Sequence, residues 1–254
     1  MMKPTFLTYS KPLLCAMIQA STPEDAICQI ANASYDGADA FGIQLECLKK
    51  EYRTLETLKK IFSYCKNKPI YLTSYVGRES TGFTHDQCAE LLLLGIEAGG
   101  TLADIMGDMF CKDEYELTYD EEAVRKQKEL AEKIHAMGGE VLFSSHQKKF
   151  IPEEKVMEIA RAQRERGADV VKIVNHSNSR EELMTNLNIC SRLNTELDCE
   201  YLYLANGSDC RILRQMGPAL GCCMYLCVQH YLPVNSKEQP QLRATKQLRD
   251  AMFN

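Results

Sequence analysis

The sequence has no excess of basic residues and no long apolar run. It has 254 residues, with 30 Lys and Arg against 35 Asp and Glu, so its formal net charge is −5. Nucleic-acid-binding surfaces carry clustered positive charge, so this balance argues against such a partner. No apolar stretch approaches the ~18 residues that a membrane span needs, and residues 1–10 contain no apolar signal core. We therefore expect a cytoplasmic protein with neither a nucleic-acid nor a membrane partner.

The sequence also lacks close CxxC pairs and metal-ligand spacings. Its twelve cysteines follow no regular framework, and several lie inside apolar runs: Cys15, Cys222, Cys223 and Cys227. This pattern favours reduced cysteines in the core over disulfides. Four histidines have no partner at the spacing of a zinc site: His85, His135, His176 and His230. We therefore expect no bound metal.

Apolar segments alternate with amphipathic ones eight times along the chain, at a spacing of roughly 30 residues, which is typical of a (β/α)₈ TIM barrel. A doubly wound open sheet is the alternative, but no Gly-rich phosphate turn follows the first strand. We find no linker and predict one domain over residues 1–254. The predicted strands cover 13–18, 37–46, 68–75, 102–106, 140–146, 170–174, 200–205 and 219–226.

One lysine interrupts the sixth predicted strand. Lys172 is the centre of the aliphatic run Val-Val-Lys-Ile-Val at 170–174. Burial disfavours the charged form of a lysine, and a neutral amine can attack a ketone. The alternative is a lysine at the end of a strand that extends its charge back into solvent.

Three further polar residues fall where a barrel places its chemistry, at the carboxyl ends of strands and in the loops that follow. His146 ends the fifth strand, Glu79 lies in the loop after the third, and Arg214 precedes the eighth. A lysine amine can form an imine with a keto substrate, and an imidazole can accept and return a proton near neutral pH. A guanidinium can bind a carboxylate through two hydrogen bonds. Together they predict imine chemistry on a small anionic keto compound.

The same residues lie in segments that resemble type I 3-dehydroquinate dehydratase, the Schiff-base lyase of the shikimate pathway. The segments are Ser-Ser-His at 144–146, Gly-Ala-Asp-Val-Val-Lys-Ile at 167–173, Arg-Glu at 78–79 and the stretch from Arg214 to Gly221. The resemblance covers nearly the whole chain from Pro12. It implies a (β/α)₈ barrel that is usually dimeric, needs no metal or cofactor, and serves aromatic amino acid biosynthesis.

The resemblance also implies a role for individual residues. Lys172 would form the imine with the C3 ketone. His146 would remove a C2 proton and protonate the departing C1 hydroxyl, and Glu79 would support His146. Three residues would bind the substrate carboxylate: Arg214, Gln241 and Ser236.

The residues that would contact the substrate hydroxyls depart from the family pattern. Gly42 and Gln44 stand where the family has a Glu and an Arg, Tyr75 replaces an arginine, and Met106 replaces an acid, while Glu46 is in its expected position. We therefore expect Gln44, Glu46 and Tyr75 to line the substrate site. The substrate would be 3-dehydroquinate or a related cyclic keto acid with different hydroxyl groups.

Two other functions are compatible with these residues. A class I aldolase also uses a barrel lysine, but it breaks a carbon–carbon bond. A barrel with altered substrate contacts could instead bind a metabolite without turnover. The sequence alone leaves open the exact substrate, a biosynthetic or catabolic role, and whether the chain forms the expected homodimer.

Overall fold

The computed structural model describes residues 4–233 and 237–253, in which parallel strands and helices alternate. The strands are β1 Leu13–Ile18, β2 Ala40–Gln44, β3 Ile70–Thr73, β4 Leu102–Met106, β5 Glu140–His146, β6 Val170–His176, β7 Glu200–Asn206 and β8 Met224–Cys227. The helices are α1 Pro23–Tyr35, α2 Leu55–Ser63, α3 His85–Glu97, α4 Glu121–Ala136, α5 Glu153–Glu165, α6 Arg180–Glu196, α7 Cys210–Met216 and α8 Leu242–Phe253.

The eight strands form one parallel sheet in the order β7-β6-β5-β4-β3-β2-β1-β8. Across the seam between β8 and β7, the backbone N–H of Cys223 donates to the carbonyl of Tyr201 at 3.0 Å. The sheet is thereby curved into a nearly closed barrel, and the prediction of a single (β/α)₈ barrel is confirmed. A doubly wound sheet would instead reverse its strand order at a switch point, so that alternative is excluded.

Side chains that alternate along the strands divide the apolar residues into two cores. One core fills the barrel interior and includes Met17, Tyr71, Leu142, Val174 and Leu204. The other lies between the strands and the surrounding helices. Polar side chains on the inward faces of the strands are consequently forced to pair with one another, since water is largely excluded there.

Most helices begin at a residue whose side chain caps free backbone N–H groups. Thr22, Thr54, Thr84, Asp120 and Ser179 each accept a hydrogen bond from a backbone N–H three residues further on. Such caps fix where a helix starts and typically stabilise it by about 1 kcal/mol. They also fix the length of each loop above the strands, where the site lies.

The eighth strand was predicted at 219–226, and this prediction is wrong in its first half. The short 3-10 helix Gly217–Leu220 precedes the strand, which covers Met224–Cys227. Gly221 ends that helix with φ 115°, and a Cβ there would lie 2.1 Å from Oδ1 of Asn194 and 2.5 Å from the hydroxyl of Tyr201. Only glycine fits this close approach, so the chain turns before the strand begins.

Within the described ranges, none of the helices has both the length and the apolar character that a membrane crossing requires. All twelve cysteines are free thiols, and nine of them are buried.

Candidate active site

Lys172 lies in β6 with 4% of its surface exposed, and three oxygen atoms surround its amine. Its Nζ lies 3.0 Å from Oδ2 of Asp104, 2.9 Å from the hydroxyl of Tyr71 and 3.1 Å from that of Tyr75. These contacts match the three N–H donors of an ammonium. The opposite wall of the barrel thus supplies polar partners to a lysine that lies in an aliphatic run of the sequence.

Asp104 is the counter-charge of Lys172 and is 0% exposed. Its Oδ2 also accepts hydrogen bonds from the hydroxyls of Tyr71 and Tyr75, the second at 2.5 Å, and its Oδ1 accepts one from Oγ of Ser144 at 2.5 Å. Burial alone would raise the pKa of Asp104, but the charge of Lys172 and these hydrogen bonds hold it below its usual value. The carboxylate therefore stays ionised at neutral pH.

His146 ends β5 and is oriented by a glutamate from the loop after β4. Its Nδ1 lies 3.0 Å from Oε2 of Glu116, and its backbone N–H donates to the same oxygen at 2.8 Å. Burial raises the pKa of Glu116, but its hydrogen bonds with His146 and the charges of His146 and Lys112 lower it below the usual value overall. An ionised Glu116 accepts a hydrogen bond from Nδ1–H of His146, which leaves Nε2 as the nitrogen that can accept a proton.

A buried arginine holds the loop between β4 and α4, which carries Glu116. Arg166 donates to the carbonyl of Gly107 at 3.0 Å and to that of Thr118 at 2.5 Å, so it holds both ends of the loop. Glu116 itself has φ 47°, a left-handed conformation that non-glycine residues adopt at a cost of about 1 to 2 kcal/mol. In addition, Oγ of Ser145 donates to the Glu116 carbonyl at 2.7 Å. The carboxylate is thus held against His146.

Glu79, which the resemblance assigned to His146, lies elsewhere. It is exposed in the short 3-10 helix Arg78–Ser80 and lines a cavity of about 610 Å³ with Gln19 and Cys47. The carboxylate in contact with His146 is that of Glu116, which follows β4 rather than β3.

Lys172 and His146 line one cavity of about 180 Å³ at the carboxyl ends of the strands. Arg214 of α7 also lines it and is 6% exposed. Its Nε donates to the carbonyl of Ala205 at 2.7 Å and its Nη2 to Oδ1 of Asn206 at 2.8 Å. Both acceptors are neutral oxygen atoms. Burial lowers the pKa of Arg214, and the neighbouring Cys210 and Glu238 partly offset this effect.

The predicted contacts from β2 and β3 lie at or next to this cavity. Gln44 and Tyr75 line it, and Oε1 of Gln44 accepts a hydrogen bond from Gln19 at 2.5 Å. Glu46 is buried behind the wall, where its carboxylate accepts a hydrogen bond from the hydroxyl of Thr73 at 2.9 Å. Burial raises the pKa of Glu46, although its own backbone and Thr73 partly offset this.

The residues predicted from the last loop are placed differently. Gln241 is exposed and lines a separate cavity of about 160 Å³. Gln239 lines the cavity with Lys172, is 8% exposed, and its Oε1 has no hydrogen-bond partner in the described part of the chain. Ser236 lies outside the described residues. Of Gln239 and Gln241, Gln239 is therefore the one that can reach a ligand beside Lys172.

Sequence reasoning missed three residues around the reacting groups. Asp104 gave the same signal as Lys172, a lone charge in an apolar strand, and could have been found by it. Tyr71 lies four residues before Tyr75, so strand alternation places both on one face. Glu116 gave no signal, because an acid in an acidic loop is commonplace. Over the described ranges, no cluster of three or more His, Cys, Asp or Glu side chains could hold a metal ion.

Several known structures with this fold are named as 3-dehydroquinate dehydratases. The 3-dehydroquinate dehydratase of Geobacillus kaustophilus is 15% identical with a TM-score of 0.83, over 97% of this chain and 93% of that one. The type I enzyme of Clostridium difficile, solved with covalently modified comenic acid, is 15% identical with a TM-score of 0.82, over 97% and 94%. The enzyme of Enterococcus faecalis is 15% identical with a TM-score of 0.79, over 98% of each chain.

At these identities the structures show a shared fold alone. No curated protein sequence matches the chain significantly. The family model for type I 3-dehydroquinase, however, matches residues 14–253, which is nearly the whole chain. The protein therefore belongs to the type I 3-dehydroquinase family.

Proposed function

We propose that this protein dehydrates 3-dehydroquinate, or a closely related cyclic keto acid, to an enone through an imine on Lys172. One observation carries the proposal: Lys172, His146 and Arg214 line the same cavity of about 180 Å³ at the catalytic end of a barrel. An amine, an imidazole and a guanidinium at one cavity supply a nucleophile, a base and a carboxylate-binding group.

In the proposed reaction, Lys172 attacks the ketone carbon and water leaves to give an iminium ion. The positive nitrogen withdraws electrons from the neighbouring C–H bond and makes its proton acidic. His146 removes that proton, the electron pair moves toward the nitrogen to give an enamine, and return of the pair expels the β-hydroxyl. The same imidazolium protonates the departing hydroxyl, so that water leaves and His146 is neutral again. Hydrolysis of the iminium then releases the enone.

Glu116 orients His146 in this proposal. Its carboxylate holds Nδ1 at 3.0 Å, which directs Nε2 toward the proton to be moved and stabilises the imidazolium once it forms. Glu79 is exposed and lines another cavity. We therefore assign the supporting carboxylate to Glu116 in place of Glu79.

The substrate carboxylate would bind Arg214, whose hydrogen bonds to Ala205 and Asn206 go to neutral oxygen atoms. The unpartnered Oε1 of Gln239 would accept a hydrogen bond from a substrate hydroxyl, or from a water molecule that bridges to the substrate carboxylate. Gln44 and Tyr75 would replace charged contacts by neutral ones on the opposite wall. These neutral groups favour a substrate with fewer or differently placed hydroxyls than a polyol-binding site would accept.

Borohydride reduction in the presence of 3-dehydroquinate tests the proposal, because hydride converts an iminium into a stable amine adduct. We expect intact-mass spectrometry to show an adduct on wild-type protein and on the surface control Lys148→Ala, and none on Lys172→Ala. Ultraviolet absorbance should show that the wild-type protein also forms the enone. Release of an aldehyde instead of water would indicate an aldolase, and an adduct without turnover would indicate a binding barrel.

A further inference from the structure

Two tyrosine hydroxyls and one carboxylate occupy all three N–H bonds of Lys172. Tyr71 and Tyr75 each donate their single proton to Oδ2 of Asp104, so their oxygen lone pairs accept from the amine at 2.9 and 3.1 Å. An ammonium in this arrangement has no free electron pair. Before it can attack a ketone, one proton must leave the nitrogen and one of these three contacts must give way.

The proton count of imine formation specifies what a carrier must do. An ammonium has three N–H bonds and the iminium product has one, so two protons leave the nitrogen. The ketone oxygen leaves as water with two protons. Both protons therefore move from the nitrogen to the oxygen while both atoms are bonded to the same carbon. A single group in contact with both atoms can carry them.

Among the three neighbours of the amine, Asp104 is a poor carrier. It is 0% exposed, and its two oxygen atoms already accept hydrogen bonds from Ser144, Tyr71 and Tyr75. Its lowered pKa also favours the ionised form, since Lys172 and these donors outweigh the effect of its burial. Asp104 is thus suited to remain an anion beside the positive nitrogen.

Both tyrosines line the cavity, but they differ in how deeply they are buried. Tyr71 belongs to β3, is 0% exposed and packs in the core of the barrel interior. Tyr75 follows the end of β3 on the open side, is only partly buried, and its ring meets that of His146 edge-on at 5.5 Å. A ketone that enters from the open end and bonds to Lys172 would meet the hydroxyl of Tyr75 first.

We propose that Tyr75 is a catalytic residue of imine formation, whose hydroxyl carries both protons from Nζ of Lys172 to the departing ketone oxygen. This inference rests on the proposed function of Lys172. In the addition step the N–C bond forms, the C=O π bond breaks, and the oxygen takes the Tyr75 proton while Tyr75 takes one from nitrogen. In the second step the same exchange delivers another proton, the C–O bond breaks and water leaves.

The net charge of the reacting centre stays at plus one through both steps, so Asp104 balances it throughout. Tyr75 is regenerated as a neutral phenol after each exchange. Burial and the neighbouring Asp104 raise the pKa of Tyr75 well above its usual value, so a tyrosinate is disfavoured and the two transfers occur together.

The matched variants Tyr75→Phe and Tyr71→Phe test this role, because each removes one hydroxyl from the same amine and the same carboxylate oxygen. Adduct formation with 3-dehydroquinate is followed by rapid quenching in borohydride and intact-mass spectrometry. We expect Tyr75→Phe to slow adduct formation about 100-fold, within the range of general acid-base catalysis, and Tyr71→Phe to slow it less than about 10-fold. The final yield of adduct should be equal in both.

Equal slowing by the two variants would overturn the inference, because the hydroxyls would then only hold the amine in place. An unchanged rate in Tyr75→Phe would overturn it as well. Absence of any adduct on the wild-type protein would overturn the proposed function and this inference with it. Should Tyr75→Phe not fold, site-specific 3-fluorotyrosine, a more acidic phenol of nearly the same shape, must change the rate at position 75 and leave it unchanged at position 71.

Discussion

Replacing Asp104 by asparagine should destabilise the barrel strongly at neutral pH. The side chains of Lys172 and Asp104 are 6% and 0% exposed, so the substitution leaves a buried ammonium without its counter-charge. Breaking a buried ion pair by removing one partner costs about 3 to 5 kcal/mol. Asparagine keeps the shape and one acceptor oxygen, so we expect the lower end, about 3 kcal/mol. For a chain of this size that corresponds to a fall in Tm of roughly 6 to 12 °C.

Urea unfolding followed by circular dichroism measures this loss, with Glu46→Gln as the matched control. Glu46 is another buried carboxylate of the same barrel, but burial raises its pKa, and its own backbone, Thr73 and the charge of Arg78 offset this only in part. Neutralising it removes a charge that the fold does not favour. We therefore expect Glu46→Gln to change the free energy of unfolding by less than about 1 kcal/mol.

The two carboxylates should also differ in their pH dependence. The pKa of Asp104 is lower in the folded than in the unfolded chain, so its contribution to stability is present above the unfolded value and is lost as the pH falls through the folded value. The difference between wild type and Asp104→Asn should therefore shrink in acid. Glu46 has the opposite sign: its ionisation opposes folding at neutral pH, and that penalty disappears as the pH falls through its raised folded pKa.

A double-mutant cycle decides whether the ion pair itself carries the energy. In a Lys172→Met background no buried ammonium remains, so Asp104→Asn should cost less than about 1 kcal/mol there. An equal loss in both backgrounds would refute the reasoning, because the effect of Asp104 would then arise from its hydrogen bonds to the tyrosines and Ser144 rather than from Lys172.

Three further substitutions, with Glu79→Gln as a control for the first, test the site and its packing. Glu116→Gln should lower kcat with 3-dehydroquinate at least about 10-fold by misorienting His146, while Glu79→Gln should leave kcat near wild type; the reverse result would return the supporting role to Glu79. Arg214→Lys should weaken substrate binding by about 1.5 to 3 kcal/mol, seen as a higher KM with a smaller change in kcat; an unchanged KM would remove Arg214 from the carboxylate site. Gly42→Ala would place a Cβ 2.4 Å from Sδ of Met17 and 3.2 Å from the ring of Tyr71, so it should cost about 1 to 3 kcal/mol in thermal unfolding; full stability would mean that Met17 moves freely aside.

The expected homodimer and cytoplasmic location stay predictions, as does the single-domain boundary at 1–254. The same holds for the roles assigned to the site residues, which the experiments above address. The part played by Ser236 also stays a prediction, since it lies outside the described residues.

The alternation of apolar strands and capped helices was enough to predict the barrel. The two-residue repeat of a strand and the 3.6-residue repeat of a helix each depend on local geometry and on one buried face. The carboxyl ends of parallel strands meet at one rim of a barrel, so Lys172 and His146 could be assigned to a common site from their strand positions alone. Arg214 lies at that rim as well, in the helix α7 that follows β7.

Tertiary structure decided which groups surround the amine and the imidazole. Asp104 comes from β4, Tyr71 from β3 and Tyr75 from the loop that follows β3, and they meet Lys172 only because the barrel closes on itself. Glu116 reaches His146 because Arg166 holds both ends of its loop. Spacing along the chain predicts the partners of a side chain only within one strand or helix, whereas contacts across the barrel depend on how distant segments pack. For that physical reason the reacting groups could be found in the sequence, whereas the contacts that Asp104, Tyr71 and Glu116 make with them could not.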